Sequence, residues 1–125
     1  MKPDQGRALL RVALDELSRA RVHLDYSARR VAGLPGDLEG MDAEQLESVE
    51  AYCCRFARTV DLLVNKVLRS LDRAELLMPG TLIDVVNRAE KRGLVERAET
   101  LREMKDLRNV IAHDYAGARL AEVFA

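Results

Sequence analysis

The residues with the richest chemistry lie close together near the end of the chain, in the stretch Arg108-Asn109-Val110-Ile111-Ala112-His113-Asp114-Tyr115. Arginine carries a permanent charge on a planar fork of donors, a geometry that suits phosphate. Histidine exchanges a proton near neutral pH, and tyrosine offers a phenol that can be modified or can position a ligand. This stretch is therefore the first candidate for a functional site.

The spacing within the stretch limits how these side chains can meet. On an uninterrupted α-helix, Arg108 and Tyr115 are seven residues apart and share a face, whereas His113 lies about 140° around the axis from Arg108. A regular helix therefore does not bring all three together. Either the helix ends or kinks near His113, or the same stretch of a second subunit completes the site across a two-fold axis.

An arginine and a histidine together suffice for metal-independent cleavage of RNA. Histidine can deprotonate the ribose 2′-hydroxyl, which then attacks the adjacent phosphate, or it can protonate the leaving oxygen. Arginine neutralises the charge that builds on the phosphate oxygens. DNA lacks the nucleophile, and the RNA product carries a cyclic phosphate. The structural alternative is that Arg108 makes a surface ion pair and His113 stabilises a helix C-terminus, where a cation is favoured.

The composition indicates a helical globular protein. The chain has 125 residues, of which 48% are hydrophobic, 33% charged and only 4% aromatic, and its commonest residues favour helix over sheet. We expect one domain over residues 1–125 and an all-α up-down bundle of four main helices plus a short C-terminal helix. The net charge of −1 gives no global attraction to nucleic acid, so an anionic partner must meet a local basic patch.

The cysteines and the hydropathy pattern indicate the cellular compartment of the protein and whether it binds a metal or another cofactor. Cys53 and Cys54 are adjacent, and because adjacent helical residues point about 100° apart, we expect two reduced thiols, as in a cytoplasmic protein. No Cys/His pair has the spacing of metal ligands, so we expect no metal and no other cofactor. Residues 1–4 lack the apolar run of a signal peptide, and no apolar stretch is long enough to cross a membrane.

Capping residues and breakers predict the helix boundaries. Asp4 is the expected cap of the first helix, and two capping pairs, Asp42 with Gln45 and Thr81 with Asp84, open two others. Gly93 fits the left-handed position that follows a helix. The predicted helices cover about residues 5–30, 43–76, 82–91 and 95 into the Arg108–Tyr115 stretch, and residues 119–124 can form a short terminal helix.

Apolar periodicity predicts the buried faces. The second helix carries a narrow seam that alternates steps of three and four, as in a coiled coil, formed by Leu46, Val49, Cys53, Phe56, Val60, Leu63 and Val67. The apolar stripes of the other helices include Leu9, Leu14, Ile83, Leu101, Met104, Leu107 and Ile111. Asp61 and Asn65, one turn apart beside the seam, either line a polar site or are simply solvated. His23 is expected to be partly exposed or at the edge of the core, and not to bind a ligand.

The Arg108–Tyr115 stretch forms an Arg-x4-His-x-Tyr element that resembles the signature of HepT-like toxins of the HEPN superfamily. Its place at the end of the last long helix of an all-helical chain strengthens the resemblance. Upstream, Arg55-Phe56 with Asp61, and the segment 81–84 (Thr-Leu-Ile-Asp), are also similar to the HepT-like pattern. The resemblance covers about residue 46 to the C-terminus.

The resemblance implies a homodimeric helical bundle that cleaves RNA as a toxin, with its active site in a cleft between two copies of the motif. Arg108 and His113 would be the catalytic pair, and Asn109 the polar neighbour that shapes the site. The implied partner is a minimal nucleotidyltransferase antitoxin that transfers AMP onto Tyr115 and so blocks the cleft by bulk and charge. We add Asp61 as a supporting polar residue that reaches the cleft from the long helix.

Two other functions compete with the toxin hypothesis. The same fold can serve as a non-catalytic subunit that binds nucleotide or substrate for a minimal nucleotidyltransferase, since Arg108 and His113 would also bind phosphate. A purely structural dimeric bundle would tolerate Arg108→Ala and His113→Ala with no effect beyond stability.

Overall fold

The computed structural model describes residues 3–113, which are helical with short connections and form no strand. The elements are α1 (Pro3–Ala32), a 3-10 turn (Leu38–Gly40), α2 (Ala43–Asp61), a π-helical segment (Leu62–Leu68), α3 (Arg69–Ala74), α4 (Leu82–Lys91) and α5 (Ala98–His113). Because α2, the π-helical segment and α3 follow one another without a gap, they form one long rod. The predicted all-α class is confirmed, and the predicted terminal helix at 119–124 lies outside the described residues.

The predicted helix starts are confirmed where a capping pair was present. The Asp42 carboxylate accepts a hydrogen bond from the Gln45 N–H at 2.8 Å, and Gln45 accepts one from the Asp42 N–H at 3.0 Å. Thr81 and Asp84 form the same reciprocal box at α4, and the hydrogen bonds from Thr81 lower the pKa of Asp84. The expected cap at Asp4 is wrong, because α1 begins at Pro3 and places Asp4 in its first turn.

The prediction of one regular helix from residue 43 to 76 is wrong in its middle. Seven residues, Leu62–Leu68, adopt the wider π-helical geometry. Just before them, the Thr59 hydroxyl donates to the Arg55 carbonyl at 2.7 Å, a back-bond that commonly bends helices. The wider turn adds residues to the rod without ending it.

This change of geometry shifts which apolar residues are buried. The predicted seam holds at Val49, Cys53, Val60 and Val67, but its member Leu63 is only partly buried, whereas the neighbouring Val64 is completely buried. Leu68 is buried beside Val67. The heptad spacing assumed a constant number of residues per turn, and the π-helical segment breaks that assumption.

Two apolar clusters hold the helices together. The larger joins the end of α2, the π-helical segment, α4 and α5 through Val60, Val64, Leu68, Val85, Val86, Ala89, Ala98 and Leu101. The smaller packs Ile111 and residues of the α1–α2 connection against Val49 and Cys53. α1 crosses α3 very closely at Gly6, where a Cβ would lie 3.0 Å from the Cα of Ala74.

Several predicted stripe residues are instead exposed to solvent. Leu9 and Leu14 on α1, Ile83 on α4 and Leu107 on α5 each remain more than a third exposed. Each belongs to an apolar stripe that is wider than the neighbouring helix can cover. The last helix also begins later than predicted, at Ala98 and not near residue 95.

The cysteines form no disulfide: Cys53 is buried in the smaller cluster and Cys54 is exposed. The expectation of thiols is therefore confirmed. His23 is exposed on α1, and its backbone carbonyl accepts a hydrogen bond from Arg55 at 3.2 Å. Within residues 3–113, none of the helices combines the length and the apolarity that a membrane crossing requires.

A buried carboxylate joins the rod to α4. Asp72 lies 2.8 Å from the Nη1 of Arg92 and 3.0 Å from the Nη1 of Arg88, and its side chain is only 6% exposed. Arg92 also pairs with Glu75 at 3.1 Å, on the open side of the cluster. Two arginines thus neutralise one buried charge, which fixes how α4 docks against α3.

We expect Asp72→Asn to destabilise the protein by about 3 kcal/mol, because removing one partner strands two poorly solvated arginines. Urea unfolding at neutral pH measures the change. The matched control is Glu75→Gln, which breaks an ion pair of the same Arg92 where the carboxylate is 49% exposed, and should cost less than about 1 kcal/mol. Equal losses in the two variants would contradict the buried-charge explanation.

Candidate functional site

α5 positions the motif by packing antiparallel to α2. Near the start of α5, Leu101 packs with Val60 in the larger cluster, whereas near its end Ile111 packs against Val49. These contacts fix both the direction and the rotation of α5. As a result, the face that carries Lys105 and Arg108 lies against the end of α2, at Asp61.

Asp61 is shared by two cations from α5. Its Oδ1 lies 2.8 Å from the Nε of Arg108 and 3.1 Å from the Nζ of Lys105. The Nε of Arg108 also donates to Oδ2 of Asp61 at 3.0 Å. One carboxylate therefore faces two positive charges, and the group keeps a net positive charge that favours an anionic ligand.

One edge of the Arg108 guanidinium is held by neighbouring side chains, and its other edge is left for a ligand. The carboxylate of Asp61 occupies its Nε, and its Nη1 makes a long 3.4 Å contact to the Oδ1 of Asn109. Within the described part of the chain, no hydrogen bond involves its Nη2. Because the guanidinium is planar, anchoring at Nε fixes the direction of the remaining donors before a ligand arrives.

The structure brings Asp61, Arg108 and Asn109 together, as the sequence suggested, but not His113. α5 remains α-helical from Ala98 to His113, without a kink before the histidine. His113 is exposed and lies about 140° around the helix from Arg108. Tyr115 lies outside the described residues. Among the described residues of one chain, Arg108 and His113 therefore do not lie in one site.

Sequence reasoning missed Lys105, although a signal for it was present. Lys105 precedes Arg108 by three residues, a spacing that places both side chains on one face of a helix. Its side chain is 15% exposed, less than that of either Asp61 or Arg108. The choice of Asp61 as their common partner depends on how α5 docks on α2, and no local pattern encodes that contact.

Arg55, which forms part of the upstream resemblance, performs a structural task. Its Nη1 contacts the buried hydroxyl of Ser27 at 2.7 Å as well as the His23 carbonyl. These bonds tie α2 to α1 on the side away from α5. Across residues 3–113, no three His, Cys, Asp or Glu side chains are grouped so as to hold a metal ion.

Comparison with known proteins identifies a family. The family described as "Ribonuclease HepT-like" matches residues 13–125, which include α5 and the complete Arg-x4-His-x-Tyr element. No curated protein and no solved structure matches the chain.

We expect Asp61→Asn to cost about 2 kcal/mol of stability, because it leaves the mostly buried Lys105 ammonium without its counter-ion. Replacing that cation as well, in Asp61→Asn with Lys105→Met, should recover part of the loss. Chemical unfolding of Asp61→Asn, Lys105→Met and the double variant measures the effect. Glu16→Gln is the control, since it breaks a well-exposed pair with Lys66 and should cost less than about 1 kcal/mol. A double variant as unstable as the two single changes added together would contradict the charge argument.

Proposed function

Since the chain belongs to the HepT-like ribonuclease family, we propose that it is the toxin of a toxin–antitoxin pair and cleaves RNA without a metal ion. The observation that carries the proposal is the anchored guanidinium of Arg108, with Lys105 beside it and His113 further along the same helix. These residue types supply what 2′-hydroxyl attack requires, namely a proton carrier and fixed positive charge.

The role of the cations follows from the charge of the reacting group. A phosphodiester carries one negative charge, which becomes concentrated on the phosphate oxygens as the 2′-oxygen attacks. Arg108 meets this charge with donors whose direction Asp61 has already set, so little reorganisation is needed during the reaction. Lys105 adds a second positive charge to the same carboxylate group and supports binding of the anion.

A homodimer completes the proposed site. Arg108 and His113 point in directions about 140° apart on one regular helix, so a phosphate that contacts Arg108 of one copy needs the histidine of another. A two-fold axis that relates two α5 helices would place each arginine opposite the partner's histidine. The exposed Leu107, between Lys105 and Arg108 in sequence, offers apolar surface for such an interface.

The reaction proceeds by transfer within the RNA chain. One imidazole removes the proton of the 2′-hydroxyl, whose oxygen forms a bond to the adjacent phosphorus. The bond from phosphorus to the 5′-oxygen breaks, and a protonated imidazole donates its proton to that leaving oxygen. The products are a 2′,3′-cyclic phosphate and a 5′-hydroxyl end. The His113 that faces Arg108 across the dimer would carry out both proton transfers, first as the base and then as the acid.

Control of the toxin is assigned to Tyr115. A minimal nucleotidyltransferase antitoxin would join the tyrosine phenol oxygen to the α-phosphorus of ATP, with release of pyrophosphate. The attached AMP would carry a negative charge and compete with the RNA phosphate for the cationic donors of the site. Both partners would act in the cytoplasm, where RNA and ATP are available.

We expect wild-type protein to cut single-stranded RNA in the presence of a chelator, and His113→Ala to lose at least about a hundredfold in rate, the usual share of a general acid or base. Analysis of the fragment ends should find cyclic phosphate, and DNA of the same sequence should stay intact. The control His23→Ala changes the other histidine of the chain and should cut like wild type.

Two substitutions on α5 distinguish a specific role of Arg108 in cleavage from the effect of removing any positive charge on this helix. Arg108→Gln should lose activity, whereas Arg102→Gln, which removes an exposed arginine of the same helix, should retain it. Intact mass must first show that the wild type carries no AMP. Absence of cleavage by unmodified wild type would overturn the ribonuclease proposal and favour a non-catalytic binding subunit.

We expect a cognate minimal nucleotidyltransferase antitoxin to add AMP to wild type in the presence of ATP, and to leave Tyr115→Phe unmodified. Intact mass and peptide mapping measure the transfer. The control Tyr26→Phe removes an exposed tyrosine of α1 and should be modified normally. Modification of Tyr115→Phe to the same extent as wild type would reject Tyr115 as the acceptor.

A further inference from the structure

We propose that a groove along the π-helical segment binds the RNA strand as it leaves the cleavage site. This π groove consists of two adjoining cavities between the rod and α1, and its polar lining includes Arg58, Asp61, Asn65, Lys66, Arg73 and Glu16. The proposal deepens the proposed function, since it takes RNA as the substrate, and it assigns a path and two new contact residues to that substrate.

The π groove is continuous with the site on α5. A cavity of about 460 Å³ is bounded by Arg58, Asp61, Asn65 and Lys66, and its Asp61 is the carboxylate that holds Arg108. A second cavity, of about 270 Å³, shares Asn65 and Lys66 with the first and extends between α1 and the rod as far as Arg73. A strand that leaves Arg108 therefore meets one connected surface.

The charges of the π groove match a polyanion. Arg58, Lys66 and Arg73 line it, and Lys105 and Arg108 stand at its end against the same Asp61. Its two carboxylates are both already paired, Asp61 with the α5 cations and Glu16 with Lys66 at 2.8 Å. The groove thus has a clear excess of positive charge, although the whole chain has a net charge of −1.

Two of these cations are available to a ligand. Arg58 and Arg73 are both exposed, and neither forms an ion pair with another residue in the range 3–113. They lie fifteen residues apart on the rod, which corresponds to roughly 20 Å. At about 3.4 Å per stacked nucleotide, this distance accommodates about six nucleotides.

A comparable cavity elsewhere on the protein lacks this charge. Between α1 and α2, a cavity of about 370 Å³ is lined by two arginines, Arg30 and Arg55, and by two glutamates, Glu44 and Glu47. Arg55 is also committed to the Ser27 hydroxyl. The charges there cancel, so that cavity gives no preference for phosphate, and the π groove is the better path for RNA.

The π-helical geometry explains why this surface is both polar and open. In the segment Leu62–Leu68, Val64, Val67 and Leu68 are buried in the bundle, while Asn65 and Lys66 are exposed together. π-helical turns often occur at functional sites. Across the groove, the exposed Leu9 and Val12 of α1 supply apolar surface against which bases can lie.

The test measures RNA binding separately from cleavage. A fluorescent 2′-O-methyl RNA of about twelve nucleotides, which has no nucleophile, is titrated with wild type, Arg58→Gln, Arg73→Gln and the double variant at several salt concentrations. We expect the double variant to bind roughly tenfold more weakly at low salt. Each substitution should also reduce the slope of log K against log salt by about 0.7, the loss of one phosphate contact on a single strand.

Controls and cleavage data distinguish this proposal from the proposed function. Arg29→Gln removes an exposed arginine of α1 that lies outside both cavities and should bind like wild type. The double variant could bind RNA with the same affinity and the same salt dependence as wild type, while the wild type cleaves RNA. That result would reject RNA binding in the π groove but would leave the proposed ribonuclease function intact. Weaker binding without cleavage by the wild type would support the groove and reject the ribonuclease. If the substitutions change the sedimentation coefficient but not RNA affinity, the face is a contact between copies and the proposal fails.

Discussion

The carboxylate of Asp61 is the contact on which the candidate site depends. Lys105 and Arg108 are three residues apart on one face of α5, and without a counter-ion they would repel each other in a partly buried position. Asp61 removes that repulsion, fixes the plane of the guanidinium and joins α5 to the end of α2. One group therefore serves both the docking of a helix and the direction of the donors proposed to meet phosphate.

Asp61 also marks the point where the long rod changes geometry. It is the last residue of α2, and the π-helical segment begins at the next residue. Apolar packing of α5 on α2 sets the distance across which Asp61 reaches its partners, and the wider turns beyond it open the surface proposed to carry the RNA strand. The chemistry and the substrate path thus share one short stretch of backbone.

Local signals in the sequence predicted the helices well. Capping boxes at Asp42 and Thr81 and the left-handed Gly93 were correct because each depends on neighbouring residues only. Asp61 contacts Arg108 within one chain, and its supporting role in a cleft between two copies stays a prediction. Lys105 was missed because its importance depends on the docking of α5. The π-helical segment was not predicted because the apolar periodicity was read with a constant number of residues per turn.

The same limit applies to Asp72. In sequence it is one more charged residue on a helix, and only the approach of α4 makes it a buried charge with two arginine partners. The burial of such a charged residue depends on contacts with helices that are distant in sequence. The periodicity of its own helix does not reveal those contacts.

The wide turns of the π-helical segment have a consequence for the spacing of the whole rod. The wide turns hold about one residue more than the same length of regular α-helix, so the residues beyond them fall about 100° from the positions that a constant step of 100° per residue would give. Deleting one residue there would leave a more regular helix that still presents α3 to α4, whereas inserting one into a regular part of the rod would rotate α3 by about 100°. The π-helical segment is therefore the part of the rod that best tolerates the loss of a residue.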